Sequence, residues 1–236
     1  MTASPSLLYP YVLETSQALT QDITQLWLRP KTQAARLSYQ AGQYVHFILP
    51  NAQQAPFSIA NWSPNDHQLE FHFRHGPKHP VTEQFLNYLM QQQSIWLGGP
   101  LGQNILPHTE RPLILLAGGT GIAPIKALLE AAVARQYMAP IRLYWGIDLP
   151  RDKYLPHWLT QLNQSLTDFK AQVILNHPLP NWKGATGLIS EYLSNQSLDL
   201  AHALVYTCGP YPMCLRLKQD LLQRGLSAAQ WHCDMG

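Results

Sequence analysis

This 236-residue chain is poor in charge, poor in cysteine and without a long apolar run. Asp, Glu, Lys and Arg make up only 13% of it, the formal net charge is +2, and like charges never cluster. That removes the basic-patch route to nucleic acid or to an anionic membrane. Hydrophobic residues reach 46%, a globular and not a disordered composition. The three cysteines, Cys208, Cys214 and Cys233, are odd in number and have no CxxC spacing. They support no disulfide framework, zinc site or iron–sulfur cluster, and reduced cytosolic thiols are the simplest account. No stretch of 18 apolar residues exists; the longest candidate, near Leu113, is broken by glycines and by Lys126. The N-terminal MTASPSLLYPYVLETSQ has no basic start and no long apolar core, so it is no signal peptide. The expectation is a cytoplasmic protein with no membrane span. No G-x-S-x-G occurs and Ser58 has no base at a recognisable spacing, which removes Ser/His/Asp hydrolysis. No internal repeat or low-complexity segment is present.

What is present is organised around LILLAGGTGIAPIKALL, Leu113 to Leu129. A short apolar run suits a buried parallel strand. Gly118, Gly119, Thr120 and Gly121 form a turn, and Pro124 opens a helical pattern, where its missing N–H costs nothing. Strand, glycine turn and helix together favour an anion, because glycine allows close backbone approach and a helix N-terminus attracts negative charge. A tight turn without a ligand is the competing reading. Pro124 also stands where the dinucleotide fingerprint has its third glycine.

Residues 7 to 106 carry strand signals at Tyr11–Leu13, Ile23–Leu28, Tyr44–Leu49, Phe57–Ala60, Leu69–Phe73 and Ile95–Leu97. Their spacing predicts a small antiparallel barrel or sandwich. One helix interrupts it near Thr82 and Glu83, with Phe85, Leu86, Leu89 and Met90 on one face. From Arg111 the pattern becomes βαβα: strands at 141–145, 171–175, 203–207 and 230–233, helices at 124–135, 156–166, 188–195 and 212–224. This predicts a doubly wound parallel sheet. The boundary falls in the polar, proline-bearing NILPHTERP, giving domains 1–108 and 109–236. If the strand order is 3-2-1-4-5, the loop Gly118–Gly121 faces Cys208-Gly209-Pro210 across the switch-point crevice, where ligands bind.

Four pieces then stand in a telling order: PFS at Pro56–Ser58, GGPLG at Gly98–Gly102, GGTGIAP at Gly118–Pro124 and CGP at Cys208–Pro210. With LYWG at Leu143–Gly146, WKGATG at Trp182–Gly187 and the terminal Asp234, the whole chain resembles the ferredoxin–NADP reductase superfamily. It most resembles the short NAD(P)H:flavin oxidoreductases. The resemblance implies an N-terminal flavin-binding antiparallel β-barrel and a C-terminal nucleotide-binding α/β domain. It implies hydride transfer from NADH or NADPH to N5 of FAD or FMN, with flavin as a bound cofactor or a diffusible substrate and a protein such as an oxygenase as an acceptor. Two alternatives accompany this reading: an electron-transfer subunit with tightly held flavin, and a non-catalytic binding module that has lost flavin.

Residue by residue, the resemblance places Ser58, Cys208 and Asp234 in catalysis: Ser58 towards flavin N5, Cys208 against the nicotinamide, Asp234 positioning it or relaying a proton. It implies flavin contacts at Pro56, Phe57, Ser58, Ile59, His72, Phe73, Arg74, Gly76, Thr82, Gly99 and Pro100. It implies NAD(P) contacts at Gly118, Gly119, Thr120, Gly121, Ile122, Pro124, Gly146, Cys208, Gly209 and Pro210. Taken alone, Phe57 also reads as a core residue and Cys208 as a small buried hydrophobe. No metal is expected: His72, His75 and His79 run across a strand and a loop without a completing carboxylate or cysteine. The chain departs from the family's Arg-x-(Tyr/Phe)-Ser motif at Ala55, which cannot grip a flavin phosphate. Arg74, Lys78 or a helix N-terminus near Thr82 is the expected substitute. Asp148 suits a ribose 2′-OH, which leans the reading to NADH, while Arg142, Arg151 and Lys153 are near enough in sequence to meet a 2′-phosphate.

Overall fold

Two six-stranded sheets share the chain, and one gives way to the other between Leu101 and Leu113. The computed structural model describes residues 7–63, 67–108, 110–178 and 180–234. The first sheet holds β1 (Leu8–Ala18), β2 (Ile23–Pro30), β3 (Tyr44–Ile48), β4 (Gln54–Ser58), β5 (Leu69–Arg74) and β6 (Ser94–Leu101), with α1 (Pro80–Gln92) between the last two. Its order is β4-β3-β6-β1-β2-β5, antiparallel throughout. Alternation sends Leu26, Leu28, Val45, Phe47, Phe71, Phe73 and Leu97 into one core, which α1 covers with Phe85, Leu86 and Leu89. Met90 lies about 100° round from Leu89, at the edge of that stripe, and is 44% exposed instead of packed. The gap between the edge strands β4 and β5 is bridged just beyond Ser58. There Ala60 N–H donates to the Glu70 carbonyl (2.8 Å), and the Asn61 side chain accepts from Glu70 N and donates to the Gln68 carbonyl.

β1 is far longer than its apolar signal. Residues 14–18 are all exposed and hold their place by backbone pairing with β2, Thr15 with Trp27 through Ala18 with Thr24. Periodicity cannot show such a segment, because neither face is buried.

The second sheet holds β7 (Leu113–Gly118), β8 (Ile141–Ile147), β9 (Phe169–Leu175), β10 (Ala185–Thr186), β11 (Leu204–Cys208) and β12 (Trp231–His232). The helices α2 (Ile122–Ala134), α3 (Pro156–Ser165), α4 (Ile189–Ser194) and α5 (Tyr211–Gln223) connect it. The order β10-β9-β8-β7-β11-β12 is parallel. It is the 3-2-1-4-5 arrangement on which the facing of the two glycine loops depends, with the short β10 added beyond β9. β7 is buried at every position, as a strand covered on both faces must be. α2 starts at Ile122, two residues before Pro124, which sits in the first turn. Separate cores lie on the two faces, one under α2 and α3, the other under α4 and α5.

Candidate functional site

β5 reads LEFHFR, and both of its faces are buried. Phe71 and Phe73 enter the first core. Glu70, His72 and Arg74, on the other face, meet the second sheet's helices and loops instead of water. Lys126 of α2 donates to Glu70 and to Glu130, each at 2.6 Å, and to the Ala60 carbonyl at 3.3 Å. Glu70 also accepts from Gln25 (2.6 Å) and from His72 Nε2 (2.8 Å), and it is wholly buried. These donors hold its carboxyl below the ordinary range against the opposing effect of burial. The two carboxylates raise Lys126, while burial raises Glu130, which also accepts from the Trp62 amide at 2.7 Å. His72 Nδ1 lies 3.1 Å from Tyr154 Oη, and burial keeps that phenol protonated. Arg74 donates to Asp152 at 2.9 Å. One side of the junction between the sheets is therefore closed by a buried ionic cluster.

Beside this cluster the junction is open, and His72 and Arg74 reach from the one into the other. A cavity of about 800 Å³ lies between the sheets, within the size range of small-molecule sites. One wall is Tyr44, Pro56, Phe57, Ser58, His72, Arg74, His79 and Thr82. The other is the loop Gly118–Gly121 after β7, Pro124, Gly146 after β8, and Cys208, Gly209 and Pro210 after β11, with Met213 and Asp234. Phe57 stacks on Phe73 (4.1 Å, 8°) and turns its remaining surface to the cavity. Ser58 makes no side-chain hydrogen bond to the described residues, so its hydroxyl is uncommitted. Asp234 accepts from the Gln103 amide at 3.2 Å and so ties the C-terminal end to the first sheet's last loop. Burial pushes the Cys208 thiol up, which leaves it a neutral contact and no nucleophile.

The glycine loops do more than face each other. A Cβ on Gly118 would strike Met213 and Pro210, and one on Gly121 would strike the Cys208 carbonyl. Gly121 has φ −59, open to any residue, so close packing and not backbone freedom explains this glycine. Gly119 is the converse: φ +54 with nothing within 4 Å of a built Cβ. Its face towards the cavity is clear of side chains, as a ligand phosphate approaching the backbone requires. Trp145 Nε1 donates to the Gly119 carbonyl at 2.9 Å and fixes the turn.

Several expected residues lie elsewhere. Ile59, Phe73 and Ile122 are fully buried, and Gly76, Gly99 and Pro100 are outside the cavity lining. Ala55, 6% exposed opposite Phe47, belongs to the first core and does not line the cavity. Arg142 is paired with Asp168 at 2.8 Å, and neither Arg151 nor Lys153 lines the cavity, whereas Asp148 and Asn176 do. His75 pairs with Thr24 and not with His72 or His79. Sequence reasoning missed Tyr44, Asn104, Asn176, Met213 and the whole ionic cluster. Lys126, one lysine in the apolar helix IAPIKALLEAAVA, was the signal for the cluster.

The family model described as "Oxidoreductase NAD-binding domain" matches residues 115–219. A probable flavin reductase of Photobacterium leiognathi is 30% identical over 190 residues, 79% of this chain and 81% of that protein. The CDP-6-deoxy-L-threo-D-glycero-4-hexulose-3-dehydrase reductase of Yersinia pestis is 29% identical over 238 residues, 96% of this chain and 68% of that protein. The flavohem-like FAD/NAD binding domain of nitric oxide dioxygenase from Vibrio cholerae O1 biovar El Tor shares the fold, with TM-score 0.81 at 20% identity over 96% of this chain and 97% of that one. A parallel sheet with a glycine switch point, an antiparallel sheet presenting Pro56-Phe57-Ser58 across the same cavity, and these relatives lead to one assignment: the chain belongs to the ferredoxin–NADP reductase superfamily and is an oxidoreductase of its flavin- and nicotinamide-dependent kind.

Proposed function

We propose that the chain is an NAD(P)H-dependent flavin oxidoreductase that releases reduced flavin or passes its electrons to a protein acceptor such as an oxygenase. The observation that carries this is the single cavity shared by the Phe57–Ser58 wall and the glycine wall. Bound there, the nicotinamide supplies hydride from C4 and the flavin accepts it at N5. The chain's part is alignment and exclusion of water. Phe57, backed by Phe73 and Phe47, offers a rigid apolar surface to a ring. Ser58 offers a free donor at the wall's end. Gly119 and its neighbours receive a pyrophosphate without side-chain obstruction, and Cys208 and Asp234 bound the space where a nicotinamide ends. The boundary between residues 108 and 109, within the stretch that joins the two sheets, is part of this proposal, as is a cytoplasmic setting. Three free thiols support the setting, and no helix among the described residues is long and apolar enough to cross a membrane.

The grip on a flavin phosphate is weak in this reading. Ala55 is sealed in the core, and Arg74 is engaged by Asp152 with Asp22 at 3.8 Å. A missing charged hydrogen bond of ~1.5–3 kcal/mol weakens binding about ten- to hundredfold. Riboflavin, FMN and FAD therefore bind within about tenfold of one another. One observation favours the second reading, a retained flavin: α1 is 13 residues long, has no side-chain cap, and presents His79 and Thr82 to the cavity. Its N-terminal amides suit a phosphate. Asp148 and Asn176 at the cavity, with Arg142 occupied by Asp168, support NADH over NADPH. The test is oxidation of each nucleotide with each flavin, alongside flavin titrations at two salt concentrations. Turnover of all three flavins with similar affinities supports release. An affinity for FAD or FMN hundreds of times that for riboflavin supports retention, and no turnover with any flavin refutes the activity.

A further inference from the structure

The chain's three cysteines converge on one end of the parallel sheet. Cys208 ends β11 on the face of Tyr206, packed against the core under α2. Cys214 is the fourth residue of α5 and is buried on the stripe it shares with Leu217 and Leu221. Cys233 directly follows β12. The register of β11 and β12 pairs Val205 with Trp231 and Tyr206 with His232. Trp231 packs into the core under α5, whereas His232 stacks on Tyr206 across the sheet (4.6 Å, 13°). Alternation therefore brings Cys233 to the α5 side and turns Asp234 to the cavity side. The Cys214 and Cys233 thiols lie close enough to perturb each other's titration, and Cys214 Sγ donates to the Gly209 carbonyl at 3.5 Å. Cys208 is on the opposite face.

We propose that Cys214 and Cys233 are an oxidation site: they form a reversible intramolecular disulfide that draws the C-terminal strand towards α5 and displaces Asp234 from the cavity. With hydrogen peroxide as oxidant, two S–H bonds and the O–O bond break and one S–S bond forms. The two sulfurs lose two electrons in all, and the peroxide oxygens take these with both protons and leave as two waters. Cys214 is the attacking thiol, because it lies in the first turn of α5, where the helix N-terminus favours a thiolate, and the neighbouring Cys233 lowers it further. Attack yields a sulfenic acid, which the adjacent Cys233 thiol condenses to the disulfide. Asp234 is the next residue along the chain, and its bond to the Gln103 amide is the contact that a shift at Cys233 strains first. Disulfides of this transient kind are the ones that reducing compartments tolerate. Reduced flavin reacting with dioxygen yields peroxide, so the proposed activity makes the oxidant. That link rests on the proposed function; the disulfide itself does not.

The experiment treats the full chain with hydrogen peroxide, blocks remaining thiols, and maps the protease digest by mass spectrometry. The expected result is one link between the Cys214 and Cys233 peptides, Cys208 recovered as a free thiol, and the thiol count falling from three to one. Dithiothreitol restores all of them. Cys214→Ser and Cys233→Ser each abolish the fall, and the second, at the half-buried member, guards against misfolding of the first. Oxidation lowers kcat for flavin reduction about tenfold or more, as small misplacements at reacting groups do, in the parent but in neither variant. A link that includes Cys208, a cross-linked dimer, or sulfinic acid without a link overturns the proposal. A linked protein with undiminished turnover overturns the displacement of Asp234. A chain inactive with every flavin that still forms the link refutes the proposed function and not the disulfide.

Discussion

The two sides of the junction between the sheets are built from opposite materials. The closed side gathers Glu70, His72, Lys126, Glu130 and the Arg74–Asp152 pair from a chain with little charge to spend. The open side presents glycine backbone, one exposed phenylalanine surface, a serine hydroxyl and a neutral thiol. The difference teaches how rigid placement and ligand access are divided. Short charge-assisted bonds with strict geometry fix one sheet against the other. The facing surfaces of the cleft then need no contact of their own and remain clear for two planar ligands.

Removing the cation should break the closed side with the largest effect. Lys126→Met leaves the buried Glu70 and the partly exposed Glu130 without their partner, and breaking such a cluster costs about 3–5 kcal/mol. Urea denaturation should show it as a lower midpoint. Adding Glu70→Gln and Glu130→Gln to Lys126→Met should recover much of the loss. If the triple variant is no better than the single one, packing and not charge holds this side.

On the open side, Ser58→Ala should leave the urea midpoint unmoved and slow single-turnover flavin reduction. The loss of a positioned donor costs about 10²–10³ in rate where charge develops. An unchanged rate removes Ser58 from the chemistry.

The two glycines of the nucleotide loop sharpen the contrast further. Gly121→Ala should destabilise the fold by about 1–3 kcal/mol, as overpacking does, because its Cβ meets the Cys208 carbonyl. Gly119→Ala meets no atom but must hold φ +54, which costs roughly 1–2 kcal/mol. Its larger effect should be a raised KM for the nicotinamide nucleotide. Equal KM changes in the two variants would contradict the distinction.

Acid and alkali should open the closed side gently. Glu70 is depressed in the folded state, so its contribution is present above its ordinary value of 4.5 and is lost as pH falls through the lower folded value. Lys126 is raised, so its contribution is full below 10.5 and is lost as pH rises through the higher folded value. Glu130, raised by burial, opposes part of the gain above pH 4.5. Thermal unfolding from pH 3 to 11 should therefore show a plateau that falls at both ends, and Lys126→Met should flatten it.

What the sequence made legible follows the same division. Where the chain is buried on both faces, as along β7, an apolar run bounded by glycines announces the strand and its turn. The alternation of elements announces a parallel sheet, while the order of its strands is not written in that alternation. Contacts that depend on a surface formed by another part of the chain were hidden. The sequence assigns Glu70, on the polar face of β5, no role, yet the second sheet's helix α2 covers it through Lys126. Residues 14–18 of β1 carry no pattern because neither face is buried and backbone pairing with β2 holds most of them. Ala55 reads as a phosphate position missing its arginine, yet its side chain is in the core, so Arg at this position would bury a charge. In the cavity, Pro56–Ser58, the glycine loops and Cys208 were legible through motifs, while Tyr44, Asn104 and Met213 reach it from elements that carry none.

The central claim is that hydride crosses the open side directly from nicotinamide to flavin. Anaerobic stopped-flow with excess protein, flavin and NADH deuterated at the transferring C4 position tests it most directly. The visible absorbance of oxidised flavin should bleach in one turnover, more slowly with the deuterated nucleotide, and more slowly still in Ser58→Ala. Bleaching at the same rate with both isotopes in parent and variant, or no bleaching in a folded protein, would contradict it.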